Sequence, residues 1–136
     1  MIPDDQLRDI LRRAKTIAVV GLSPKPERPS NSVSRYLQHQ GYKIIPINPG
    51  HETILGEPTF PSLTVAAEQH PIDIVDVFRN SANAGAVVDE AIPLRPMLIW
   101  LQLSVVDVNA EGRARAAGVP FIMDRCIAIE HRHLEV

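Results

Sequence analysis

Apolar positions along this chain alternate between two spacings. Leu7, Ile10, Leu11 and Ala14 recur at i, i+3, i+4 and i+7 behind Pro3 and Asp4, which is one face of a helix with a start signal ahead of it. Residues 16–21, Thr-Ile-Ala-Val-Val-Gly, are almost wholly apolar, β-branched and closed by glycine. A short run of that kind predicts a strand covered on both faces, as in a parallel sheet. Similar runs recur at 42–47, 72–78, 97–101 and 119–123, each separated by enough chain for a crossover helix.

The crossovers are legible as well. Residues 32–40 place Val33, Tyr36 and Leu37 on one stripe and stop at Gly41, a residue suited to the left-handed helix terminus. Residues 81–92 begin on a serine cap and stop at Pro93, and 109–117 begin on an asparagine cap and are followed by Gly118 and Pro120. Residues 62–69 predict a shorter helix. Alternating strands and helices, joined by right-handed crossovers, leave a doubly wound α/β fold: a mostly parallel, five-stranded Rossmann-like sheet with helices on both faces. Two proline-rich stretches, 24–29 and 46–61, are predicted as loops after the first two strands. No repeat, linker or low-complexity segment divides the chain, and 136 residues at 45% hydrophobic supply one core, so residues 1–136 are read as a single domain.

Charge narrows the function classes. Lysine plus arginine number 14 and aspartate plus glutamate 16, for a net charge of −2, so no global field holds a polyanion and nucleic acid is not expected as a partner. The longest apolar runs are interrupted by acids and too short to cross a bilayer, and Met1 to Asp5 lack the basic and apolar regions of a signal peptide. A cytoplasmic protein without membrane association is the expectation. The single cysteine, Cys126, excludes an internal disulfide and fits a reducing compartment.

In an open α/β sheet, ligands sit outside the carboxyl ends of the strands where strand order reverses, so the loops to read are known in advance. The first runs Gly21-Leu-Ser-Pro-Lys-Pro-Glu-Arg-Pro-Ser30 into a helix. Gly21 permits close backbone approach, and a helix start offers free N–H groups to phosphate. Over 21–43 the charges are Lys25, Arg28, Arg35 and Lys43 against Glu27, a local excess of cations that marks an anion site including Ser23 and Ser30. Solvated loop charges and a plain helix cap explain the same residues, and the sequence leaves both open.

A nicotinamide or flavin dinucleotide fits poorly. The turn lacks the second and third glycines of the dinucleotide fingerprint, and the second strand ends Asn48-Pro49 where that site has an acid for the ribose. Asn48 bonds without adding negative charge, which suits a ligand with an extra phosphate near the ribose, or it is a turn residue before Pro49. After the third strand, Phe78 can lie against an adenine and Arg79 can face phosphate or a ring; a core phenylalanine, an exposed arginine and a cap at Asn80 and Ser81 read equally well. Gln102 stands beside the switch point as a polar contact, and Trp100 reads as packing.

No catalytic set emerges. His131 and His133 are close in sequence, but no local motif completes a metal site. Cys126 has no histidine near it in sequence, and Asp73 and Asp76, at i and i+3 in a strand, face opposite sides.

Taken together, several short motifs in order resemble one family: Gly21-Leu-Ser, Arg28-Pro-Ser30, Tyr36-Leu37, Gly41-Tyr42, Pro46-Ile-Asn48-Pro49, Ile54-Leu-Gly56, Pro58-Thr-Phe-Pro61-Ser-Leu, Asp73-Ile-Val-Asp-Val-Phe-Arg79, Trp100-Leu-Gln102-Leu and Met123-Asp-Arg-Cys126. They run nearly end to end and resemble the small bacterial and archaeal CoA-binding proteins, whose domain is similar to the CoA-binding domain of the succinyl-CoA synthetase alpha subunit without its ligase and phosphohistidine regions. The resemblance implies that coenzyme A is the ligand. It implies that the loop from Gly21 to Ser30 holds the phosphates, that Asn48, Pro49, Phe78, Arg79 and Asn80 border the adenosine, and that Asp124, Arg125 and Cys126 close the other side. Members often carry glycine where this chain has Ser104, and a basic residue where it has Gly50 and His51.

Three readings of function follow. The first is a non-catalytic module that binds CoA or an acyl-CoA as carrier or sensor, with a small molecule as its partner and a protein partner left unspecified. The alternative is an acyl-CoA-utilising enzyme or ligase accessory subunit whose catalytic groups come from elsewhere, and an NAD(P)-binding protein ranks below it. A side reading has Cys126 form a mixed disulfide with the CoA thiol.

Overall fold

The structure, a computed structural model, describes residues 2–136. Its strands are β1 (Thr16–Val20), β2 (Lys43–Ile47), β3 (Thr53–Ile54), β4 (Glu57–Pro58), β5 (Ile74–Val77), β6 (Leu98–Leu101) and β7 (Phe121–Ile122). Its helices are α1 (Asp4–Arg13), α2 (Pro29–His39), α3 (Leu63–Ala67), α4 (Ser81–Ala91), α5 (Val108–Ala116) and α6 (Ile127–His133). Met1, which falls in the expected single domain and in the reading of the amino terminus, lies outside the described residues.

Five strands form one sheet in the order β2-β1-β5-β6-β7, and every pairing in it is parallel. The side-chain period of two divides the strands between two cores. Ala18, Val20, Val75, Val77, Ile99 and Leu101 meet apolar residues of α3, α4 and α5 on one face. Ile17, Val19, Ile74, Leu98 and Trp100 meet those of α1, α2 and α6 on the other. Every residue of β1 is buried, which is why its sequence shows no polar alternation. From β1 the chain moves outward to β2, then returns across β1 to β5. The reversal lies between β1 and β5 and opens a crevice at their carboxyl ends.

Several boundaries differ from the sequence expectation. Helix α2 starts at Pro29 rather than Ser32, because proline at the first helical position has its φ preset and loses no hydrogen bond there. The stretch 46–61 is not loop alone: β3 and β4 pair antiparallel within it across Leu55 and Gly56, both at positive φ, the geometry of a tight hairpin. Pro58 is tolerated in that two-residue edge strand. Helix α5 is capped by Asp107, which accepts from the Ala110 N–H at 2.9 Å, two residues earlier than Asn109. Helix α6 adds to the elements expected from sequence, and its Ile127, with Leu134 just past its end, closes the second core.

Candidate functional site

The crevice at the carboxyl ends of β1, β2 and β5 is a cavity of about 720 Å³, within the range of small-molecule sites. Three loops build it. The loop after β1 contributes Gly21, Ser23, Pro24, Lys25 and Arg28, together with Pro29 and Ser30 of α2; the loop after β2 contributes Asn48, Pro49, Gly50 and His51; Phe78 and Arg79 follow β5.

The first loop is held by its own polar groups. The Ser23 N–H donates to Ser30 Oγ at 2.9 Å, the Lys25 N–H donates to Ser23 Oγ at 3.1 Å, and Asn31 Nδ2 donates to the Ser23 carbonyl at 2.8 Å. Arg35 reaches back from α2, donating from Nη2 to the Pro26 carbonyl at 2.9 Å. Asn48 ties this loop to the next, donating to the Leu22 carbonyl and accepting from the Gly50 N–H, each at 2.9 Å. Its amide is thus engaged within the protein and retains one N–H for any ligand. Gly21 has φ +87°, and a Cβ there would stand 2.5 Å from the Phe78 carbonyl oxygen. The glycine lets the backbone at the end of β5 approach, as much as it lets a ligand approach.

The charge of the crevice differs from what summing along the chain suggests. Arg35 is a loop staple, and Lys43 pairs with Glu57 at 2.6 Å. What faces the cavity is Lys25, Arg28 and Arg79, all exposed. None of the three forms a salt bridge among the described residues, and no acid lines the cavity among them. Helix α2 points its start here, with neither an acidic residue in its first turn nor a side-chain cap, so its positive dipole end is unopposed. Unpaired cations and an uncapped helix start, in a crevice without acids among its described lining residues, have the chemistry that suits an anion.

Nine of the fourteen residues singled out from the sequence line this cavity: Gly21, Ser23, Lys25, Arg28, Ser30, Asn48, Pro49, Phe78 and Arg79. The other five do not. Asn80 caps α4, accepting from the Asn83 N–H at 3.0 Å. Gln102 is buried and donates to Asp76 Oδ1 at 2.5 Å, so its amide faces the core beneath the strand ends rather than the crevice. Asp124, Arg125 and Cys126 surround a separate hollow beyond β6 and β7. There Asp124 Oδ1 accepts from the Ser104 N–H at 2.8 Å, and Cys126 is half-buried at the start of α6. Ser104 has φ +69°, a left-handed conformation that favours glycine.

His51 entered the sequence reading only as a departure from a family pattern; the structure places it in the cavity wall. Asp76 is fully buried, burial raises its carboxyl to about 7 against a smaller opposing effect of the Gln102 bond, and its Oδ2 has no hydrogen-bond partner among the described residues. Its signal was an acid inside an otherwise apolar covered strand. Asp73 lies just before β5, where its carboxylate accepts from the Lys15 and Thr16 N–H groups at 2.7 and 3.2 Å. Among the described residues no group of three or more His, Cys, Asp or Glu could hold a metal ion, and no helix is long and apolar enough to cross a membrane.

Comparison with known proteins follows the same lines. A family model described as a CoA binding domain matches residues 15–132. The uncharacterized protein YneT of Bacillus subtilis is 40% identical over 126 residues, covering 93% of this chain and 92% of that protein. A Thermus thermophilus structure, cell-free ID.343, superposes with a TM-score of 0.91 at 39% identity over 98% of this chain and 99% of that one. A hypothetical protein from Pyrococcus horikoshii OT3 gives 0.92 at 36% identity over 99% and 94%.

Proposed function

The chain belongs to the family of CoA binding domains, and from that premise we propose that its crevice holds coenzyme A or an acyl-CoA, with the phosphates against Lys25, Arg28 and Arg79. One observation carries this reading: three cations without salt bridges converge on a crevice that has no acid among its described lining residues. Coenzyme A carries a diphosphate and a further phosphate on its ribose, so it presents more negative charge than NAD, and each charge-assisted contact is about twice as strong as a neutral one. An NAD site would carry an acid for the ribose hydroxyls; here that position is Asn48, already bonded to two loops. Phe78, half-buried at the end of β5, is available to stack on the adenine.

The chain acts as a binding, carrier or sensor module. The polar groups of the crevice are hydroxyls, an amide, cations and the His51 imidazole, which hold and orient an anion, and the strongly perturbed carboxyl, Asp76, is sealed in the core.

Thermal unfolding of the full chain in matched buffers tests the reading. With CoA at about a hundredfold above its dissociation constant the protein gains about 2.7 kcal/mol, while equal concentrations of NAD give little. Stabilisation by NAD and none by CoA would reverse the assignment.

A further inference from the structure

Beyond the crevice, the carboxyl edge of the sheet continues into the hollow of about 460 Å³ past β6 and β7. Its character is different. Leu103 and Ile129 line it, at 57% and 53% exposure. Among the described residues the exposed large hydrophobics are these two with Val106 and Val108, and three of the four fall between 103 and 108, directly after β6. Of the four, Leu103 and Ile129 meet at the hollow, and exposed apolar side chains brought together in one concavity mark a binding surface. The charged groups around the hollow are mainly acidic: Asp4, Asp124 and Glu130, with Arg125 bonded to Glu130 at 3.2 Å and His133 at the rim.

We infer that this hollow receives the acyl end of an acyl-CoA, and that the acyl group it favours is an uncharged aliphatic one. The inference rests on the CoA reading of the crevice. The two sites share one sheet edge: Phe78 and Arg79 follow β5, Leu103 follows β6, and Asp124 to Cys126 follow β7. Neighbouring strands are about 4.8 Å apart, so Leu103, after β6, lies one spacing from Arg79 after β5 and two, roughly 10 Å, from the loop after β1 that carries Lys25 and Arg28. The pantetheine arm has the backbone length of about four residues, which reaches roughly 13 Å when extended. A ligand with its phosphates on Lys25, Arg28 and Arg79 therefore brings its thioester to Leu103 and Ile129. Charge fixes the same direction, because the acids of the hollow repel phosphate and tolerate an uncharged chain. They also disfavour an acyl group that ends in a carboxylate.

Calorimetric titration of the full chain with CoA and with acetyl-, butanoyl-, hexanoyl- and succinyl-CoA decides the matter. A fully buried methylene is worth roughly fourfold in affinity; at a partly open site we expect at least a tenfold gain from acetyl to hexanoyl, and no gain over CoA for succinyl. In the double variant Leu103→Asp, Ile129→Asp the ladder flattens, while CoA itself binds within twofold of the unsubstituted chain. A flat ladder in the unsubstituted chain, or a ladder that survives in the variant, overturns the inference and leaves CoA binding intact. A flat ladder together with a dimer that the variant dissociates assigns the surface to a second copy, which also overturns it. If neither CoA nor any acyl-CoA binds, the reading of the crevice fails and takes this inference with it.

Discussion

At the scale of single residues, Asp76 is the most informative. Its carboxyl has no exposure, one short bond from Gln102 and an Oδ2 without a partner among the described residues, so ionising it inside the core is costly. Its folded value, about 7, lies above the unfolded value near 3.8. Its contribution to stability is therefore complete below about pH 4 and declines as pH rises through 7. Asp76→Asn removes the ionisation and keeps the shape. The expected outcome is a gain of about 1–3 kcal/mol at pH 8 that shrinks toward pH 4, measured by denaturant unfolding at both values; a gain independent of pH would contradict it. Arg28 and Arg79 present the opposite case, exposed and without salt bridges among the described residues. Replacing either by alanine should weaken CoA binding about tenfold or more, as loss of a charged hydrogen bond does, with the melting temperature of the unliganded protein nearly unchanged. Titration beside a melting curve separates the two, and an unaltered affinity would remove that arginine from the site.

At the scale of elements, the sequence reading and the structure agree where local physics decides and part where distant contacts do. The five sheet strands are visible because burial on both faces leaves continuous apolar runs, and helices α1 to α5 because stripes and caps are written within a few residues of each other; α6, with no such cap, is not. The hairpin at 53–58 was not visible: two residues per strand leave no period to detect, and Leu55 adopts φ 54° without being a residue that announces a turn. Sequence charge counting misplaced the anion site's cations in part, because Arg35 and Lys43 turned to a loop carbonyl and to Glu57, whereas Arg79 arrived from another strand. Gln102 belongs with these, since only the register of β5 against β6 sets it over Asp76. Gly21 joins the elements themselves. A Cβ at 2.5 Å from the Phe78 carbonyl, on backbone with φ +87°, makes Gly21→Ala destabilising by about 1–3 kcal/mol from strain alone. The loss should appear in unfolding without ligand, and a neutral substitution would show that β1 and β5 can part at this point.

At the scale of the molecule, the reversal of strand order between β1 and β5 gathers three loops that are far apart in sequence into one crevice. The fold accounts for where a ligand binds; the charges account for what kind. Polar and cationic residues stand over β1, β2 and β5, and apolar and acidic ones past β6 and β7, so the carboxyl edge is graded in a way that suits a ligand with a phosphorylated end and an uncharged end. A crystal structure of the protein with saturating coenzyme A tests the central claim most directly. The account predicts density for the diphosphate and ribose phosphate within hydrogen-bonding distance of Lys25, Arg28 and Arg79, with the loop from Gly21 to Ser30 around it. Ligand density elsewhere on the molecule, with this crevice holding only solvent, would contradict it.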